Sequence, residues 1–424
     1  MRIQNRKFKI QKGFVALYLT ILILTLVFGI IISISFLTLN QQKILKNITR
    51  STQSYYLAEA GIEDALLRLK KKMNFSSPYS FKLGNGTTTV EISDIIGGSR
   101  TINSKGNVSN TIKKIQVVYA ISKQKVSFYY GAQVGAGGLI MGNGSKVLGN
   151  VYSNGNVIGA GTIQNSIIVA GNGNRIEGIT VGEDATVFTC KNSTINGNLT
   201  YVSGGSVQNC QVKGSTSIRP NEIPPRDLPI SQSQIDKWKG EAANGGVTTT
   251  DISISGTKIL GPIQIGTSSN PKNLTVQNGA TLIVKGTIYV TGNITFSNGS
   301  TIKLDSSYGS LSGVIIADGV ITVENNVIIS GSGQPGSYVL ILSTKSDTTN
   351  PVINIRNNSA GSAIYYANSG LIYLKNNMVA REVTGYKIQI ENNAEIQYES
   401  GLEEANFSSG PGGSWKIVSW REGE

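Results

Sequence analysis

The chain has 424 residues and a formal net charge of +13, yet only 15% of its residues are charged and 50 are glycine. That composition argues against an ordinary helical enzyme, and the absence of histidine removes the commonest proton shuttle near neutral pH and the commonest nitrogen ligand for zinc. Clusters of Gly, Asn, Ser and Thr between short Ile/Val runs predict many short strands with frequent turns.

The first twelve residues carry Arg2, Arg6, Lys7, Lys9 and Lys12 and no acid. Residues 14–39 then run without a charge, longer than the roughly 20 apolar residues a helix needs to span a bilayer. A cleavable secretory peptide has an apolar core of about 7–15 residues closed by small residues. This run is longer and exits into Asn40-Gln41-Gln42-Lys43. The expectation is a span of the cytoplasmic membrane, with the basic leader 1–13 inside and the C-terminal domains outside. The other positive charges are scattered, without interleaved aromatics, which suits envelope adhesion and argues against nucleic acid as a partner. Beyond the span, Ile44, Ile48, Tyr55, Ala58, Ile62, Leu66, Leu69 and Met73 fall mostly three or four apart, one stripe of an amphipathic helix. No proline interrupts residues 14–72, so the spacing predicts one helix over 14–72, roughly 90 Å long, with its transmembrane part at 14–39.

Gly13-Phe14 resembles the prepilin peptidase site of type IV pilins. Residues 51–62, containing Ala58-Glu59-Ala60-Gly61, resemble the corresponding helix of PilX-type minor pilins and related pseudopilins. The resemblance covers about residues 1–125. It implies cleavage after Gly13, Phe14 as a methylated N-terminus, and assembly with other pilin-like subunits through the helix. Many pilins carry a glutamate at the fifth mature position, where this chain has Tyr18. A carboxylate in lipid is costly, and its absence removes a register device, so the resemblance implies a minor or tip subunit and not a repeating one.

Within the domain expected at 73–128, the period changes to two from Tyr79 to Ser122. Residues 87–92, 100–104 and 112–118 read as antiparallel strands separated by Gly84-Asn85-Gly86, Gly97-Gly98 and 106–110, a small sheet that covers the helix stripe and completes the module. In 129–218 a β-branched residue, any residue and glycine recur, as in Val157-Ile158-Gly159, Ile176-Glu177-Gly178 and Ile195-Asn196-Gly197. In 251–404 an apolar-x-apolar-x unit closes on Asn325, Asn357, Asn376 and Asn392, with weaker copies closing on Asn278 and Asn298. A period of about 16–20 residues with Asn/Gly corners predicts a β-solenoid in two blocks, similar to right-handed parallel β-helices, the first block also to bactofilin-like domains. The six asparagines are expected at the corners, because asparagine accepts the left-handed backbone that sharp corners demand. An antiparallel sandwich is the alternative. Cys190 and Cys210 are about one coil apart; a bridge between neighbouring coils and two buried thiols both stay open.

Pro220, Pro224, Pro225 and Pro229 break the repeat over 219–250, where Ser231 or Ser233 is expected to cap a short helix bearing Ile235 and Trp238. The segment is expected to cross between coils and cover an apolar face or edge. In 405–424, Trp415-Lys416-Ile417-Val418-Ser419-Trp420 reads as a cap or final edge strand. The candidate acids Asp305, Asp318, Glu324 and Glu391 form no tight recurring pair, and Glu324 and Glu391 share a repeat position with Arg356 and Lys375. No phosphate loop or EF-hand is present, so no cofactor, metal or catalytic residue is expected. The fold class expected is an α+β pilin-like module followed by an all-β solenoid. The function expected is a minor pilin or pseudopilin of a type IV-type pilus or its assembly machinery, displaying an adhesive or structural head. A membrane-anchored β-helix that binds envelope or host glycans is the alternative, and a carbohydrate-active enzyme ranks below it.

Overall fold

The structure, a computed structural model, describes residues 12–71, 73, 75–93, 99–121, 123–408 and 415–423. The leader cations Arg2, Arg6, Lys7 and Lys9, Lys72 and the turns at Gly97-Gly98 and Gly410-Pro411-Gly412-Gly413 lie outside the described residues. A long N-terminal apolar helix is followed by a large β-rich region with many parallel strands, and the contacts divide the chain into two units.

The first unit is built on helix α1, Lys12–Lys70, 59 residues in one run. Arg68 and Lys70 lie in its last turn, where cations complement the helix dipole. Its second half packs on a sheet of β1 (Tyr79–Leu83), β2 (Gly86–Ile92), β3 (Ser99–Val108), β4 (Thr111–Ile121) and β5 (Trp415–Gly423), in that spatial order. Strand β2 alternates strictly, with Thr88, Val90 and Ile92 buried and Thr87, Thr89 and Glu91 facing away. Leu57, Ala58, Ile62 and Ala65 bury the helix side. The helix comes close enough for side chains to bond its backbone partners directly. Thr88 Oγ1 donates to the Leu57 carbonyl at 2.8 Å, and Ser54 Oγ donates to the Thr111 carbonyl at 2.6 Å. Gly61 and Gly106 make that approach feasible, since a Cβ on either would strike the opposing element.

The sheet is not complete at residue 128, as the period-two stretch alone implied. Strand β5, from the far end of the chain, lies beside β4. The alternating aromatic strand expected to close the solenoid therefore belongs to the antiparallel sheet, where Glu422 pairs with Lys113 at 2.5 Å. In sequence, residues 122–414, most of the second unit, lie between two neighbouring strands.

The second unit is a stack of layers, each contributing short strands that pair in parallel with the equivalent strands of the next layer. One interior column runs Leu274, Ile294, Ile321, Ile353, Ile372, Ile388, Leu139, Val157, Ile176, Cys190 and Val207, each in register with the next. The two repeat blocks thus share a single core. They are joined out of sequence order: Glu382–Ile390, late in the chain, pairs with Ala132–Met141, the first strand of the stack. From there the chain builds to Thr216–Arg219 at one end, crosses, restarts at Val247–Thr248 at the other end and builds back to the middle. Equivalent apolar spacing in both blocks is what lets the layers match.

The crossing segment covers the outer face of the stack. Tyr152 Oη donates to the Pro224 carbonyl at 2.6 Å, Gln133 Nε2 to the Asp227 carbonyl at 2.8 Å, and Tyr366 Oη to the Ile230 carbonyl at 2.9 Å. Helix α2, Gln232–Asn244, follows, with the Ser231 side chain accepting from Gln234 N as its cap. Its Ile235, Trp238 and Ala242 are buried in a cluster with Tyr289, Ile316 and Leu342. Lys239 Nζ reaches Asp318 at 2.5 Å, and Tyr289 Oη and Thr344 Oγ1 also donate to that carboxylate, at 2.5 and 2.6 Å. Burial pushes the Asp318 carboxyl up, but these three donors outweigh it and hold it below the usual carboxylate range.

Gly106→Ala tests the close approach in the first unit. The new Cβ meets backbone atoms, the Ser54 carbonyl oxygen and, at 2.7 Å, Ala58 N, so no side chain can move to relieve it. A loss of about 1–3 kcal/mol is expected, read as earlier unfolding of the helix–sheet unit by hydrogen exchange.

Candidate functional site

Two features stand apart from ordinary core: the bare half of α1 and the corner ladder of the stack. The bare half is long and apolar enough to cross a membrane, and Leu17, Leu24, Phe28, Ile32 and Phe36 are all open to the surroundings. Four of its hydroxyls bond within the helix. Thr20 and Thr25 donate to carbonyls three residues back, and Ser33 and Thr38 to carbonyls four back, at 2.8 to 2.9 Å. Hydroxyls bonded internally leave a surface that is mostly hydrocarbon, which is what lipid or the helices of other subunits accept. Gly13-Phe14 falls in the first turn of this helix. Tyr18 lies one turn further, its ring centroid 5.2 Å from that of Phe14, and projects outward.

The corner asparagines need a correction. Asn278, Asn298, Asn325, Asn357, Asn376 and Asn392 each stand one residue before the left-handed position. Positive φ falls instead on Gly279, Gly299, Asn326, Asn358, Asn377 and Asn393, between 58° and 69°. The second residue of each pair turns the chain, so the doubled Asn-Asn and Asn-Gly is the true corner signal. This frees the first residue to link layers. Asn298 Oδ1 accepts from Asn325 N at 3.2 Å and from Asn325 Nδ2 at 3.1 Å, and Asn392 Oδ1 accepts from Asn143 N at 2.9 Å. The turning N–H groups donate to the next layer: Gly279 N to Asn298 O at 3.1 Å, Gly299 N to Asn325 O at 3.0 Å. The bond from Asn143 N to Asn392 Oδ1 crosses the junction between the two blocks.

Cys190 and Cys210 form a disulfide, with Cα atoms 6.3 Å apart. Cys190 lies in the interior column and Cys210 in the last layers of the stack, where Val207 and Ile218 are partly or largely exposed. The bridge ties down the end of the stack that has no further layer above it.

The candidate acids are engaged separately. Asp305 accepts from Ser307 N at 3.0 Å at the start of a short 3-10 turn, Asp318 holds Lys239, and Glu324 lies 3.8 Å from Arg356 in the next layer. Glu391 is partly buried, and burial raises its carboxyl. Glu403 and Glu404 are exposed. Among the described residues no group of three His, Cys, Asp or Glu side chains could hold a metal ion. One acid escaped sequence reading altogether. Glu382 is fully buried at the junction between the blocks, in register with Ile364, and one carboxylate oxygen finds no partner. Burial raises its carboxyl well above the ordinary range, opposed by the bond that Thr384 Oγ1 donates at 2.5 Å. Nothing around Arg381-Glu382-Val383 marks it as buried, because it lies on a strand beside solvated charges.

No protein-family model matches the chain, and no curated protein does. Among solved structures, the competence-associated pilin ComZ from Thermus thermophilus aligns over 88% of this chain and 98% of its own, at 10% identity and a TM-score of 0.19. An ice binding protein from an Antarctic bacterium, Flavobacteriaceae, aligns over 62% of this chain and 80% of its own, at 12% identity and a TM-score of 0.22. Scores this low leave the architecture to be read from the strands themselves.

Two outcomes are expected. Replacing both cysteines by serine removes a cross-link closing a loop of 20 residues, with a loss of about 3 kcal/mol. The loss should fray the layers between 199 and 219 first, seen as faster amide exchange there and not near residue 300. For Glu382, the folded state keeps a proton that the unfolded chain releases above about pH 4.3. Stability is therefore full below that value and falls as pH rises toward the raised folded pKa. Glu382→Gln, which keeps the acceptor for Thr384, should flatten this fall and raise Tm at about pH 7–8, measured by thermal unfolding across pH.

Proposed function

We propose that the chain is a minor pilin-like subunit of a type IV-type filament or its assembly machinery. Its parallel stack, a right-handed β-solenoid in this reading, is carried outside the cell as a structural or adhesive head. One observation carries the reading: a single 59-residue helix whose first half is bare hydrocarbon and whose second half is clamped on an antiparallel sheet. A simple anchor needs only the first half. A helix that continues without interruption into a packed domain transmits the position of that domain to whatever holds its apolar end, be it lipid or a bundle of similar helices.

In this reading the basic leader stays in the cytoplasm until prepilin peptidase cuts after Gly13, leaving Phe14 as the N-terminus. Tyr18 then occupies the position where a glutamate would pair with a neighbour's terminal amine. Without that acid the subunit has no charge-based register with a neighbour, which suits a single copy at a filament end over a repeating one. Competence pilins such as the ComZ structure are proteins of this general kind, and filament partners would be other pilin-like subunits.

A second reading, a membrane-tethered head that binds envelope polysaccharide, is favoured by the outward rows on the stack. Thr162, Thr180 and Thr194 stand in register on successive layers, as do Thr275, Thr295 and Thr322, giving ordered hydroxyls for a regular polymer.

Co-expression with active and inactive prepilin peptidase, followed by N-terminal sequencing, separates the two. The pilin reading expects an N-terminus at Phe14 with the active enzyme only, and loss of processing in Gly13→Val. An unprocessed Met1 terminus under both conditions removes the filament role and leaves the tethered head.

A further inference from the structure

Strand β5 is the outermost strand of its sheet, and its side chains from Lys416 to Glu422 are exposed or half-buried on both faces. Ile417 is 43% exposed, Val418 52% and Trp420 39%. Between Trp415 and Glu422 the strand contains no proline, so it keeps the backbone N–H groups that an added strand would pair with. A nine-residue edge that carries Ile417, Val418 and Trp420 between Lys416 on one side and Arg421-Glu422 on the other is a template for another strand.

We propose that β5 pairs antiparallel with β5 of a second copy of this chain, on a two-fold axis through Ser419. The order of charges selects both the partner and the register. A two-fold at Ser419 sets Lys416 opposite Glu422, Ile417 opposite Arg421 and Val418 opposite Trp420, and symmetry supplies each pairing twice. Opposite charges meet, the arginine stem lies over isoleucine, and valine packs on tryptophan. A register one residue shorter sets Lys416 opposite Arg421, like against like, and turns every side chain of one strand to the other face. One residue longer sets Glu422 against Ile417 and leaves both Lys416 side chains without an acid. Strand β4 reinforces the choice. Glu422 already bonds Lys113 of its own chain at 2.5 Å, so pairing places this acid between Lys113 and the Lys416 of the second copy, a charge ladder across three strands. The result is one continuous sheet running through both copies.

The test uses the detergent-solubilised full chain and sedimentation equilibrium. The natural chain should show a reversible dimer. Lys416→Glu should weaken it roughly tenfold, because two attractive cross-strand pairs become repulsive. Lys416 lies outside the Lys113–Glu422 pair, so thermal unfolding of this variant should match the natural chain and exclude misfolding as the cause. Glu422→Lys should weaken the dimer likewise, and the double variant Lys416→Glu/Glu422→Lys should regain it. Three results overturn the proposal: a natural chain that stays monomeric, a dimer indifferent to either single reversal (association through the apolar helix or the open end of the stack), or a double variant no tighter than the singles (a partner strand other than β5). None of these outcomes depends on whether Gly13 is processed.

Discussion

The structure of the second unit depends on one constraint: an apolar strand face in any layer is buried only by the layers above and below it. The interior column from Leu274 to Val207 meets that constraint with Leu, Ile, Val and one Cys, almost all wholly buried. Because every layer carries the same need, any two layers with matching columns can join, whether or not they are adjacent in sequence. Ile388 on Leu139 is such a join, made without a covalent link between successive layers. Polar side chains do secondary work at the edges of this core. The asparagine corner ladder fixes where each layer turns, and it too crosses the join, through Asn392 and Asn143.

Where the constraint cannot be met, the chain compensates by other means. The outer face bearing Tyr289, Ile316 and Leu342 is apolar, and the crossing segment with α2 covers it, held by the Lys239–Asp318 pair and by backbone carbonyls that accept tyrosine hydroxyls. At the end where no layer follows, the Cys190–Cys210 bridge substitutes a covalent tie for missing packing. Glu382 is the exception, a buried acid with an unpartnered oxygen at the join, where burial favours its protonated form.

Much of this was legible in the sequence because it rests on local periodicity. The 3.6-residue stripe marked α1, the absence of proline fixed its continuity, and Ser231 followed by Ile235 and Trp238 marked α2 and its buried face. The Ala58–Gly61 motif was visible as a signature, but its cause, the clash that a Cβ at Gly61 would make with Ser104 and Thr88, needed the sheet in place. Corner positions were misread by one residue, since Asn-Asn offers two candidates for the left-handed turn and only hydrogen bonds to the next layer tell them apart. What no local pattern can carry is the order of layers. Residues 132 and 383 are in register across most of the chain, and a repeat count in either block alone gives no sign of it.

That order has a consequence for how a long segment can lie in sequence between neighbouring strands. Layers added in sequence order would separate the two ends of the stack by its full length, roughly 50 Å at about 4.8 Å per layer. Strands β4 and β5 are immediate neighbours, and a chain inserted between them must leave and return at nearly one place. Starting the stack in its middle solves the problem. The chain enters at Ala132–Met141, and its last layer, Glu382–Ile390, settles beside that entry strand. Just outside the stack, Lys123–Lys125 and Asn406–Ser408 pair antiparallel, bringing the incoming and outgoing segments together. The long excursion from residue 219 to 247 is then the necessary cost of building outward in both directions, and its Pro-rich, helix-bearing sequence is shaped by the apolar face it must cross. An insertion of nearly 300 residues thus places no demand on the spacing of the two strands that bracket it, as expected for a loop whose ends are closed by its own packing.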